Sequence, residues 1–456
     1  MIMKQKQLSV ICCALLLATG VHAQSEATTW SLKDCIEYAV KNNIQLQQSR
    51  ITQKESEVDL KTAKAALFPS LSFSSNQGIT NRPYSENMTN IVNDGSGNYT
   101  TSSSSSKTTY NGSYGLNASW TVWNGGKRLK NIKQQKLTNE ISGLNIAEGE
   151  NSLQENITKL YVQILYTNEA IEVNKKALEL SEKQYDRAKE MLAVGSVAKS
   201  DVAQLEAQVA NDKYNVVNAQ ATLQDYKLQL KQLLEIDGTQ EMQLATPTLN
   251  DEKALEPLPS QTAVYEAALA QRPEIQSSKL SVESAELGVR IAKSGYMPSL
   301  NLSAGMGSSN GSGRGMGFGE QLKSNWNNSL SLSLSVPIFD NRQNKSNVQK
   351  AKLQQENSVL NLASEKKTLY SNVEKLWLDA NSAQQKFAAA CSKVTSCQTS
   401  YDLVSEQFSL GLKNTVELLT EKNNLLSAEQ DKLQSKYTAI LNAELLNFYQ
   451  GGEIDL

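Results

Sequence analysis

The chain states its structural unit twice. Leu67-Phe68-Pro69-Ser70-Leu71-Ser72-Phe73 in the first half is matched by Tyr296-Met297-Pro298-Ser299-Leu300-Asn301-Leu302, at an offset of 229. Val194-Gly195-Ser196 is matched by Leu410-Gly411-Leu412, at an offset of 216. Self-similarity on this scale means two copies of one supersecondary unit. The 13-residue difference arises between the prolines and the matched blocks 114–122 and 330–338, in the loop of a strand hairpin. Each copy reads helix, strand, loop, strand, long helix, glycine turn, returning helix. The first copy covers 24–246, with strands at about 69–79 and 112–123 and a helical hairpin at about 125–235. A proline-bearing linker, 247–260, leads to the second copy at 261–456. Its strands lie at about 298–307 and 326–338 and its hairpin at about 340–449.

Residues 1–23 read as a secretory signal: Lys4 and Lys6, an apolar stretch from Leu8 to Ala18, and the small-residue site Val21-His22-Ala23. The only histidine of the chain is His22, inside that signal. A chain without it has no imidazole base or metal ligand, so the commonest acid–base chemistry is unavailable. No cofactor and no catalytic or metal site is expected. Three cysteines follow the signal, Cys35, Cys391 and Cys397, and an odd number is not a disulfide framework. Loss of Lys4 and Lys6 takes the formal charge from −2 to −4, which gives no electrostatic basis for binding nucleic acid. No segment after the signal is apolar enough for a transmembrane helix.

Four segments alternate apolar with small polar residues. Leu71 and Phe73 oppose serines; Tyr114, Leu116, Ala118, Trp120 and Val122 oppose Ser, Gly, Asn and Thr. Leu300, Leu302, Ala304 and Met306 repeat the pattern, and Leu330, Leu332, Leu334 and Val336 alternate with serines throughout. Period-two alternation puts every apolar side chain on one face. A soluble sandwich would show the same pattern. The uncharged polar face, the strand length and Trp120, Trp123 and Trp326 near strand ends favour a membrane barrel. Residues 76–112 and 307–325, rich in Ser, Thr, Asn and Gly, read as long external loops. Four strands cannot close a barrel, so several chains must share one.

Residues 84–246 and 338–456 contain no proline. Residues 127–193 read as one helix of roughly 100 Å by helix rise, and 341–410 mirror it. In the return helix, Val202, Leu205, Val209, Asp212, Val216, Ala219, Leu223, Tyr226, Leu230 and Leu233 keep a three-four spacing with one polar member, the mark of a packing seam. Gly195 and Gly411 each end a long helix and are followed six residues on by an acid, Asp201 and Glu417. A left-handed cap and a favourable helix-dipole contact explain these residues locally. A ring of acids at the end of a tube is the functional alternative.

Together these residues resemble the TolC-like outer-membrane efflux family across nearly the whole chain after the signal. The signs are Trp30-Ser31-Leu32-Lys33-Asp34-Cys35-Ile36 and the doubled Pro-Ser-Leu block. Trp123-Asn124-Gly125-Gly126-Lys127 and Phe339-Asp340-Asn341-Arg342 mark the strand-to-helix crossings. Val194-Gly195-Ser196-Val197-Ala198-Lys199-Ser200-Asp201-Val202 marks the turn. The resemblance implies a mostly α fold with a β-barrel portion: a homotrimer with a twelve-stranded barrel in the outer membrane and a coiled-coil tube through the periplasm. It implies docking of a periplasmic adaptor and an inner-membrane pump at tips marked by Val194, Gly195, Ser196, Asp201, Val202, Leu410, Gly411 and Leu412. Glu417 matches an acidic aperture position. Thr420 stands where a second acid is expected, and Glu421 is the compensating candidate. The function implied is a passive conduit in a Gram-negative outer membrane, in contact with its lipid. A protein-secretion channel and a non-conducting trimeric scaffold are the alternatives, and pore conductance separates conduit from scaffold.

Overall fold

The computed structural model describes residues 29–84, 88–93, 99–104, 107–237, 242–247, 249–312 and 316–456. The expected signal at 1–23 lies outside them. The first described elements are β1 (Thr29–Trp30), α1 (Leu32–Asn42) and α2 (Ile44–Ala65). Strands β2 (Ser70–Asn81), β3 (Met88–Asn93), β4 (Tyr99–Ser104) and β5 (Thr108–Asn124) follow. The first hairpin is α3 (Lys127–Ala193) and α4 (Lys199–Leu233). A short β6 (Gln243–Leu244) pairs in parallel with β1. The second copy has α5 (Gln261–Gln271), α6 (Pro273–Lys293), β7 (Ser299–Gly311), α7 (Phe318–Ser324) and β8 (Asn327–Ser335). It ends with α8 (Gln343–Ser409) and α9 (Thr415–Tyr449). Both long helices have 67 residues and both return helices 35, so the two copies differ in their loops and not in their hairpins.

The copies also start alike. Ser31 caps α1 by accepting from the Asp34 N–H at 3.2 Å, and Ser260 caps α5 by accepting from the Ala263 N–H at 3.3 Å. The compact units nevertheless cut across the repeat. One holds residues to 47, 148–272 and 368–456; the other holds 48–147 and 273–367.

In the first unit α1, α3, α4, α8 and α9 bury one apolar cluster containing Cys35, Ile157, Tyr161, Ile164, Leu230, Phe387 and Ile440. Cys35 is fully buried, and burial pushes its thiol up to about 12, so it is an inert core residue. The linker is pinned to the helices: Asp251 meets Lys432 at 2.9 Å and Lys436 at 3.2 Å, and Trp377 Nε1 donates to the Pro259 carbonyl at 3.0 Å. Arg272 pairs with Glu155 at 2.8 Å and stacks 3.9 Å from the Tyr449 ring.

In the second unit four strands form one antiparallel sheet in the order β2-β5-β7-β8. Two loop expectations need correction. Residues 76–112 are not all loop: β2 runs on to Asn81, β5 starts at Thr108, and β3 and β4 form a separate hairpin. β-Branched threonines with Ile91 and Val92 supply strand propensity that the low-complexity composition conceals. Residues 307–325 likewise contain the end of β7 and the helix α7. Glu320 Oε2 accepts from the Gly317 N–H at 3.3 Å and starts that helix.

The strand-to-helix crossings explain two quoted motifs. Gly125 and Gly126 have φ of +65° and +71°, and a Cβ at Gly125 would lie 2.6 Å from Met297 Cβ. At the matched positions Asn341 and Arg342 have φ of 50° and 66°. Asn tolerates this region, whereas Arg is strained there. Arg342→Gly should therefore raise stability by about 1 kcal/mol, read as a higher midpoint in chemical unfolding. An unchanged or lower midpoint would mean that the arginine side chain compensates for its backbone.

Candidate functional site

The sheet register places the alternating apolar residues in continuous rows. Leu71, Ala118, Ala304 and Leu330 face one another across four strands; so do Trp120, Leu302 and Leu332 across three. Most of these side chains are exposed, with Ala118 and Leu302 half-buried. Leu71 is 70% exposed, Leu330 75% and Leu334 67%. A contiguous apolar face of this size left open marks an interaction with membrane or protein. Serines and asparagines occupy the other face, where Ser70 and Ser119 hydroxyls meet at 2.9 Å. Among the described residues, β2 and β8 each have one partner strand, so both outer edges offer free backbone groups. No helix among the described residues is long and apolar enough to cross a membrane.

The tips have nearly the same geometry in both repeats. At the first, the Gly195 N–H donates to the Leu192 carbonyl at 3.0 Å and the Ser196 N–H to the Met191 carbonyl at 2.9 Å. At the second, Gly411 donates to Phe408 at 3.0 Å and Leu412 to Gln407 at 2.9 Å. This pair of bonds closes a helix through a left-handed residue. Gly195 and Gly411 have φ of +77° and +75°, and a Cβ on either would meet nothing within 4 Å. The glycines are needed for the turn and not for clearance. Val194, Leu410, Leu412 and Val416 are exposed apolar residues around the turns, and Ser196 is exposed with them. Val202 is buried in a cluster shared by both hairpins, with Leu205, Tyr401, Phe408 and Leu418.

The acids behind the turns are anchored locally. Asp201 accepts from the Ala198 N–H at 3.2 Å. Glu417 accepts from the Asn414 N–H at 3.2 Å and from Lys413 Nζ at 2.5 Å, while Asn414 accepts from the Glu417 N–H at 2.9 Å. Both acids therefore close their own capping turns. The Lys413 ammonium, then the Asn414 N–H, holds the Glu417 carboxyl below its ordinary value. Its contribution to the turn is complete above the ordinary glutamate pKa and fades as pH falls through the lower folded value. Glu421 accepts from Ser400 on α8 at 3.0 Å.

The structure adds a polar centre in the seam. Asp212 of α4 and Lys422 of α9 are 2% and 1% exposed and form an ion pair. Ser181 of α3 donates to Asp212 and accepts from Lys422, and Gln208 Nε2 donates to Asp212 Oδ1 at 2.8 Å. Burial pulls the Lys422 ammonium below its ordinary value, and the Asp212 carboxylate opposes that pull. The pair ties the two hairpins at one register. Sequence reading found Asp212 but missed Lys422. The signal was available, because Thr415, Leu418, Lys422 and Leu425 keep the three-four-three spacing of a seam and are all buried.

No metal-ligand cluster occurs among the described residues. The sequence profile described as Outer membrane efflux protein matches residues 35–235 and 264–452, most of both repeats. Outer membrane protein TolC of Escherichia coli K12 is 23% identical over 63% of this chain, and the match spans 59% of TolC's own length. Outer membrane efflux protein BepC of Brucella suis is 22% identical over 95% of this chain and 89% of its own. The fold is similar to the crystal structure of CusC, with a TM-score of 0.78, 18% identity and 92% of each chain covered. With both repeats matched and the same strand-and-hairpin architecture, the chain belongs to the outer membrane efflux protein family, whose members are outer-membrane channels and not enzymes.

Proposed function

We propose that three copies of this chain build one passive export conduit, which takes its cargo from an inner-membrane pump through a periplasmic adaptor. The observation that carries this reading is the four-stranded sheet with one bare apolar face and two open edges. Joining β8 of one copy to β2 of the next closes a ring, and twelve strands leave an open lumen where eight would be filled. Channels of the family form trimers that work with efflux pumps. A second apolar stripe on α4, Tyr214, Val217 and Leu228, is exposed in the single chain and suits contact with a neighbouring copy. The conduit has no catalytic residue, so its partner supplies the energy and selects the cargo.

Adaptor docking is assigned to the tip turns: Val194, Gly195, Ser196, Asp201 and Val202 on the first hairpin, Leu410, Gly411 and Leu412 on the second. Glu417 and Glu421 are the aperture acids of this reading, with Glu417 part-neutralised by Lys413. Gly195→Pro or Gly411→Pro should abolish efflux while the trimer still reaches the membrane. Proline cannot take positive φ, and it removes the N–H that closes each turn. Susceptibility assays and trimer quantification on the same strains check this. Full efflux in both variants would overturn the docking assignment.

A further inference from the structure

We propose that the apolar face of the sheet carries a seat for one acyl chain of the phosphorylated glycolipid of the outer leaflet. Here Phe73, Tyr114, Leu116 and Met306 of the strands are walled by Leu322 of α7 and by Trp326. The inference rests on the conduit reading, which puts this face in the membrane and the β7–β8 loop on its outer side.

The groove holds about 360 Å³, within the range of small-molecule sites. Its floor follows the register. Phe73, Leu116 and Met306 form one row across β2, β5 and β7. In the neighbouring rows Ser75 and Ser308 flank Tyr114 on one side, and Ala118 and Ala304 lie between Leu71 and Leu330 on the other. Small Gly115, Gly307 and Ser308 among these large side chains leave the recess that Leu322 and Trp326 wall.

The wall is held in position. Ser308 Oγ donates to the Leu322 carbonyl at 2.6 Å, Asn325 Nδ2 to the Ser309 carbonyl at 2.6 Å, and the Gly311 N–H to Gln321 Oε1 at 2.7 Å. Three bonds fasten α7 and its C-terminal end to the last residues of β7. These three bonds hold the wall of the groove against the sheet.

The occupant follows from continuity and charge. The groove is part of the apolar face assigned to lipid, so its solvent in the membrane is acyl chain. Trp326 and Tyr114 are aromatics of the kind that mark a headgroup boundary. Lys323, exposed on α7, puts a cation on the helix whose Leu322 walls the groove. The neighbouring acid, Glu320, is engaged in the α7 cap. An acyl chain below a phosphorylated headgroup fits this pairing, and the loop side of the sheet is where the outer leaflet lies.

The test is native mass spectrometry of the detergent-solubilised trimer. One arm adds a phosphorylated, multiply acylated glucosamine disaccharide; the other adds phosphatidylethanolamine. The wild type should retain the glycolipid, saturating at one per chain, in preference to the phospholipid. Met306→Trp should fill the groove and remove the adducts while the trimer mass persists. Lys323→Glu should weaken retention about fivefold or more, since one basic residue near an anionic headgroup is worth about 1 kcal/mol. If Met306→Trp does not assemble, Leu322→Trp, outside the strands, decides the matter in the same way. Equal retention of both lipids, no retention by the wild type, or adducts that survive groove filling would overturn the proposal. A wild-type trimer that conducts yet retains no glycolipid would overturn this seat alone, whereas the absence of any trimer would overturn the conduit reading beneath it.

Discussion

Lys422→Ala should destabilise the helical hairpins by about 3–5 kcal/mol, because it leaves the Asp212 carboxylate buried without its cation. Asp212 would keep only Ser181 and Gln208, and two neutral donors do not replace an ammonium. Replacing both charges with apolar residues of similar size, Asp212→Leu with Lys422→Met, should recover most of the loss. Desolvating two ions roughly cancels their attraction, so the pair itself adds little stability. Its contribution is to register. Only one alignment of α4 against α9 joins the charges, and any slip along the seam buries one of them alone. Thermal unfolding followed by helical circular dichroism on both singles and the double gives the coupling. Equal losses in the single and double variants would show that packing around Lys422, and not its charge, holds the hairpins together.

Leu332→Arg should cost on the order of 2–4 kcal/mol in membrane assembly, while Ser333→Arg should be tolerated. The two residues are neighbours in β8 and point to opposite faces. Leu332 shares a row with Leu302 and Trp120, whereas Ser333 pairs with Asn301. An arginine in the first row meets lipid, and an arginine in the second meets water in the lumen. Trimer yield in purified outer membranes reports the difference. Equal yields would remove the case for a membrane barrel, and a reversed order would mean that the faces are exchanged.

The elements were legible in the sequence wherever one period ran long enough. The serine alternation of 329–336 and the seam from Val202 to Leu233 each admit one conformation, and the duplication doubles every such signal. The helix bounds at Lys127 and Ala193 follow from a glycine pair on one side and a glycine turn on the other. The β3–β4 hairpin was not legible, because Ser and Thr runs carry no hydrophobic period even where backbone pairing holds them. The role of the tip acids was only half legible. Spacing identified Asp201 and Glu417 as equivalent, but their capping bonds and the Lys413 contact depend on side-chain conformation. Lys422 sits at the seam spacing of Thr415, Leu418 and Leu425, but its partner lies 210 residues away, so spacing alone named no pair.

The central claim is that several copies of this chain make one open conduit. Single-channel recording on detergent-purified protein, with its mass measured on the same preparation, tests it most directly. The account predicts discrete conductance steps from a particle of three chains and none from the single chain. A conducting monomer, or a trimer that inserts into the bilayer and passes no ions, would contradict it.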